Sequence, residues 1–100
     1  MSDQVVSAGQ SLSGQEITGG DSLIVRAGGL VTDMTIEALA TDAVYGQASG
    51  TILEALASET IFAGGVAVGT TVGSGAAEFV SGGGFASATD VQAGGALGVL

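Results

Sequence analysis

The amino-acid sequence predicts an all-β protein, a right-handed parallel β-solenoid (β-helix) of about five turns with roughly 19 residues in each. Three observations predict it. A β-branched residue recurs as Val6, Val25, Val44, Ile61, Val80 and Val99, at intervals of 19, 19, 17, 19 and 19 residues. A second apolar column, Ile17, Ile36, Leu53, Val72 and Val91, follows the first by 11 residues, or by nine in the shortened third copy. Glycine-bearing corners punctuate both intervals. Together these divide a single domain, 1–100, into units 6–24, 25–43, 44–60, 61–79 and 80–98.

Each unit reads as strand, corner, strand, corner. After the anchor come Gly9-Gln10, Gly28-Gly29, Gly64-Gly65 and Gly83-Gly84, with Gly46-Gln47 one residue early in the short copy. After the second column come Gly20-Asp21, Leu39-Ala40, Leu56-Ala57, Gly75-Ala76 and Gly94-Gly95. Glycine pairs supply the positive φ that tight corners need. The residues around the anchors are β-branched and alternate, and Thr51, Thr70 and Thr89 each stand two before the second column. Residues 51–62 carry Glu, Ala and Leu and favour a helix by propensity. They keep the register of the copies around them, and register overrides propensity. One such unit cannot bury its apolar side alone, so copies stack at about 4.8 Å, and five make a rod roughly 24 Å long. The third unit loses its two residues within 45–50, which pinches a corner without shifting the columns.

Composition agrees and removes whole classes of function. Nineteen glycines against one Tyr and three Phe leave too little bulk for a single jigsaw core, but suit a thin layered one. The net charge is −9, with Arg26 as the sole cation, which excludes nucleic acid and charge-driven binding to an anionic membrane. No Cys, His or Pro is present. Disulfides, thiolate chemistry, the usual zinc sites and His-based catalysis are thereby absent, and no strand loses a ladder donor. The start, Met-Ser-Asp-Gln, has neither the basic nor the apolar region of a signal peptide. Residues 60–77 carry no charged side chain, yet their glycines and threonines are too weakly apolar for a membrane span. No membrane insertion is expected.

Residues 63–75 (Ala-Gly-Gly-Val-Ala-Val-Gly-Thr-Thr-Val-Gly-Ser-Gly) and 82–95 (Gly-Gly-Gly-Phe-Ala-Ser-Ala-Thr-Asp-Val-Gln-Ala-Gly-Gly) resemble the strand-loop-strand repeats of AIDA-type bacterial autotransporter adhesins. Residues 61–99 are similar in sequence, and 6–60 in spacing with degraded glycines. The resemblance implies a right-handed β-helix at a bacterial cell surface or otherwise extracellular, in adhesion, aggregation or biofilm contact. It also implies contacts with cell surfaces or glycans, and O-glycosylation of Ser or Thr. Outward serines such as Ser7, Ser22, Ser58, Ser81 and Ser87 are available for that.

Two residues before the anchor, Asp42, Glu59 and Glu78 recur in consecutive units and stack into an acidic ladder. Such a ladder is either a cation strip, Ca²⁺ being favoured by hard oxygen ligands, or a solvated row that keeps the rod soluble. The missing Gly-Gly-x-Gly-x-Asp pattern favours the solvated row, so no metal and no cofactor is assigned. Glycosidase chemistry lacks support without His, Lys or an aromatic platform for a sugar, and a phosphate loop lacks its Lys. No enzyme is expected. Arg26 either pairs with a carboxylate such as Asp42 or Asp21 or stays an exposed cation. Tyr45 and Phe62 share a column and either stack as a contact step or fill the wider corner.

No cap is visible at either end. Val5, Val6, Val99 and Leu100 are therefore candidates for end-to-end contact. Two functions follow. One is a structural subunit that self-associates end to end into a rod or filament at a bacterial surface or matrix. The other is a segment of a longer adhesin whose lateral face contacts cells.

Overall fold

A computed structural model describes residues 3–99. The chain runs through five turns of three short strands each and begins a sixth. The first turn holds β1 (Asp3–Val6), β2 (Ser11–Ser13) and β3 (Glu16–Ile17). The second holds β4 (Ser22–Val25), β5 (Leu30–Thr32) and β6 (Thr35–Ile36), and the third β7 (Thr41–Val44), β8 (Gln47–Ser49) and β9 (Ile52–Leu53). In the fourth are β10 (Ser58–Ile61), β11 (Val66–Val68) and β12 (Thr71–Val72). The fifth has β13 (Ala77–Val80), β14 (Phe85–Ser87) and β15 (Asp90–Val91), and β16 (Ala96–Val99) follows. Every strand pairs in parallel with its counterpart one turn away, giving sheets of six, five and five strands among the described residues. The fold is a parallel β-solenoid, without helices among the described residues; residues 51–62 hold β9, a corner and β10. Residues 60–77 are solenoid strands and corners, and among the described residues no helix is long and apolar enough to cross a membrane.

The cross-section has three sides where the sequence pattern suggested two. A bend splits the second strand of each turn at Gly14, Asp33, Gly50, Gly69 and Ala88, all with positive φ. A single left-handed residue between extended ones redirects the chain, so each turn gains a third face. Asp33 (φ 52°) and Ala88 (φ 57°) adopt the conformation without being glycine; Asp33 N–H donates to the Ser49 carbonyl of the next turn (2.9 Å), and Ser87, just before Ala88, accepts from Gly69 N–H of the turn before (2.9 Å).

Alternation along each strand builds the core. Val25, Val44 and Ile61 stack in register on the six-stranded sheet. Ile36, Leu53 and Val72 stack on the sheet of β3, β6, β9, β12 and β15. Val31, Ala48 and Ala67 form the third inward column, and all nine residues are buried. Full burial of each aliphatic side chain stabilises by about 1.5–3 kcal/mol, which offsets the ordering of a glycine-rich chain.

The glycine pairs hold two positions for different reasons. The first of each pair sits at positive φ, as at Gly28 (84°) and Gly83 (87°). The second lies against the turn below: a Cβ on Gly29 would come within 2.6 Å of the Val6 carbonyl oxygen, and one on Gly84 within 2.8 Å of that of Ile61.

The third turn is short at one corner. β4 and β5 are joined by four residues and β10 and β11 by four, but β7 and β8 only by Tyr45 and Gly46. Register is unbroken across it: Leu30 pairs with Gln47 and Gln47 with Val66, as Val25 pairs with Val44 and Val44 with Ile61. Both amides of the short corner, Tyr45 N–H (2.7 Å) and Gly46 N–H (3.0 Å), donate to the Val25 carbonyl.

Candidate functional site

The most unusual chemistry lies inside the solenoid. Residue pairing places Gln4, Leu23, Asp42, Glu59, Glu78 and Leu97 in one column across the six-stranded sheet. The column stands two residues before the anchors, and since strand side chains alternate with period two, it points the same way as they do. Asp42, Glu59 and Glu78 are therefore buried, with 0–2% of their surface exposed. The solvated acidic row expected from charge is instead a core ladder. Among the described residues, the solvent-facing acids include Glu16 and Glu54, with Glu37 half-buried; a side-chain hydrogen bond with Glu16 raises the carboxyl of Glu37.

Two threonines reach the ladder from the next face. Thr70 Oγ1 donates to Glu59 Oε1 at 3.3 Å, and Thr89 Oγ1 to Glu78 Oε1 at 3.2 Å. Thr51 is the corresponding residue for Asp42, but the aspartate is one methylene shorter. Both Asp42 carboxyl oxygens and Thr51 Oγ1 are buried without a partner, as are Glu59 Oε2 and Glu78 Oε2. Ionised carboxylates only accept hydrogen bonds, so adjacent ones cannot satisfy one another. A proton between them makes one a donor. Burial, first, and the neighbouring carboxyls, second, favour that proton. Burial lifts Asp42 to about 6, against a lowering hydrogen bond from Glu59. It lifts Glu78 to about 8, with Glu59 adding to the rise through hydrogen bond and charge. Glu59 lies between the two and is pushed well above the ordinary carboxylate range by burial and then by Asp42. The three titrate as one unit, a chain of carboxylic acids held in the core.

Such a ladder stores protons, but its burial keeps any substrate away. Its carboxyls run in a row and do not converge: among the described residues no group of three or more Asp, Glu, His or Cys is placed to hold a metal ion. The geometry thus gives no support to the cation-strip reading. The unpartnered pair allows a direct check. Thr51→Val is expected to raise stability in urea unfolding by about 1 kcal/mol, because it removes a buried hydroxyl without a partner. Thr70→Val, which breaks the bond to Glu59, is expected to lower stability by about the same amount.

Outside, Tyr45 and Phe62 stack face to face, with ring centroids 4.5 Å apart and planes 6° from parallel. Tyr45 is 41% exposed, so of the two arrangements open for this column the structure has the stacked step on the surface. Arg26 is exposed, one turn before Tyr45 in the same corner column, and no interaction of its side chain is found among the described residues. Asp42, one partner considered for it, faces the core. Ser7, Ser22, Ser58, Ser81 and Ser87 are all half-buried.

At the end faces Val6 is buried and Val5 exposed. At the far end Val99 is 75% exposed and Leu97 and Val91 are also open, although the same columns are closed inside the stack. Leu100 lies outside the described residues.

No family model matches the sequence, and no curated protein does. A solved structure matches: the crystal structure of a TibA fragment hyper-glycosylated under TibC catalysis, with a TM-score of 0.85 and 36% identity over 87% of this chain. TibA is an AIDA-type autotransporter adhesin. This chain spans 32% of that solved chain, about a third of its length. The likeness shows the β-solenoid fold.

Proposed function

We propose that this chain is a non-enzymatic, adhesin-like structural segment of a β-solenoid displayed at a bacterial surface, whose open end faces join further turns. The observation that carries this is the open core at the far end, where the inward columns of Val91, Leu97 and Val99 are left uncovered. An apolar cross-section of that kind is completed by another turn of the same fold. The likeness to the TibA solenoid supports the surface setting.

Appending one more unit with the sequence of 61–79 after Val99 is expected to raise the thermal midpoint by about 5–15 °C. An unchanged midpoint would count against the proposal. End-to-end stacking remains the second reading, carried by the same exposed face. Electron microscopy of the purified chain would show it as regular fibres, and persistent monomers in light scattering at high concentration would dismiss it.

A further inference from the structure

The shortened corner of the third turn leaves a notch in the ridge of corners, and we infer that this notch is a binding site for a sugar ring carrying a carboxylate. Its centre is Tyr45. On one side the ring borders a cleft of about 410 Å³ with Ile24, Arg26 and Ala27. On the other it borders a second cleft of about 420 Å³, formed by the corner backbone at Gly28 and Gly46 and by Gln47. The full-length corners before and after supply the walls, and the two missing residues supply the space.

Three features select the ligand. Stacking on Phe62 fixes the Tyr45 ring, so a flat aromatic face is presented at little cost in side-chain entropy. Such a face suits the C–H side of a pyranose. Arg26 is the sole Lys or Arg of the sequence, exposed, and without a side-chain partner among the described residues. Its guanidinium fork binds a carboxylate through two parallel hydrogen bonds. The Gln47 amide and the exposed corner peptides provide donors and acceptors for hydroxyls.

The net charge of −9 does not oppose this at close range. Charges more than about 8 Å away are largely screened at physiological ionic strength. Among the described residues no carboxylate lines either cleft, and Asp42 and Glu59, on the neighbouring strands, are buried in the core. Arg26 therefore sets the local sign. The notch lies on the flank, so it binds or fails to bind independently of what joins the end faces.

The site carries its own reporter, since Tyr45 is the only tyrosine and there is no tryptophan. Titration of the whole chain with D-glucuronate and with N-acetylneuraminate, read by tyrosine emission and by amide shifts in NMR, is expected to give saturation with a millimolar Kd for at least one of them. D-glucose is expected to bind about tenfold more weakly. Arg26→Gln should abolish the preference for the acidic sugar while leaving the circular dichroism spectrum unchanged. Tyr45→Phe should retain binding in NMR, and Tyr45→Ala should lose it. No saturation with either acid sugar, equal binding of glucose, or an Arg26→Gln variant that binds as the parent does would each overturn the proposal.

Discussion

Unfolding free energy is expected to fall as the pH rises from about 4.5 towards 8, the reverse of the usual acid lability of carboxylate-rich proteins. The sign follows from the buried ladder. In the unfolded chain Asp42, Glu59 and Glu78 titrate near their ordinary values of about 4. In the fold Asp42 is raised to about 6, Glu78 to about 8 and Glu59 well above the ordinary value. Below the unfolded values both states are protonated and the ladder costs nothing in charge. Above them the folded state still binds protons that the unfolded chain has released. Each such proton lowers stability by about 1.4 kcal/mol per pH unit until its folded value is passed. The decline should be steepest between about pH 4.5 and 6, where all three carboxyls contribute, and shallower beyond Asp42. Among the described residues no cation faces the ladder to reverse this; its neighbours include Thr51, Thr70, Thr89 and the flanking Leu23 and Leu97. Urea midpoints at fixed ionic strength measure the effect. Glu59→Leu, which matches the leucines already in the column, should flatten the profile and raise stability at neutral pH. A midpoint that rises across the same window would mean that the buried carboxyls are ionised.

Gly46→Ala is expected to cost at least about 3 kcal/mol. A Cβ there would fall on the carbonyl oxygens of Arg26 and Gly29 and press on Val25 Cγ1 at 3.1 Å. Those oxygens belong to the turn below and are held by hydrogen bonds, Arg26 O accepting from Gly29 N–H (2.8 Å) and Gly29 O from Gln47 N–H (3.0 Å). Gly64→Ala, in the neighbouring full-length corner, meets no atom within 4 Å and bears only the strain of a positive φ. Its cost should stay near 1 kcal/mol. Comparing the two variants by thermal unfolding separates steric contact from backbone strain. Equal losses would show that the short corner relaxes.

Much of this fold was legible because its columns repeat. Val25 over Val44 over Ile61 is a pairing that the sequence displays as spacing, and the helical propensity of residues 51–62 could not compete with the ladders on both sides. The third face was less visible. Its signal was the bend glycine before each threonine, Gly50 before Thr51 and Gly69 before Thr70, obscured in other turns by Asp33 and Ala88. The ladder was misread for a different reason. Charge suggested water, whereas the period of two placed Asp42, Glu59 and Glu78 on the side of their anchors. Leu23 and Leu97, flanking the three acids in the same column, were the sequence signal for an inward face. The aromatic step was visible only as a shared column. Its near-parallel stacking, and the open ground beside Tyr45, depend on how the short corner settles on the turn below.

That corner has a consequence for how such a chain can vary. Two residues are missing between β7 and β8, yet strand pairing on either side continues as though nothing were lost. Core and perimeter are thus separately editable: the columns hold the fold, while each corner sets only how far the chain strays from it. A peptide grafted between Phe62 and Gly65 would be displayed from the rim without disturbing the stack, so neighbouring turns could carry unrelated loops on one common frame.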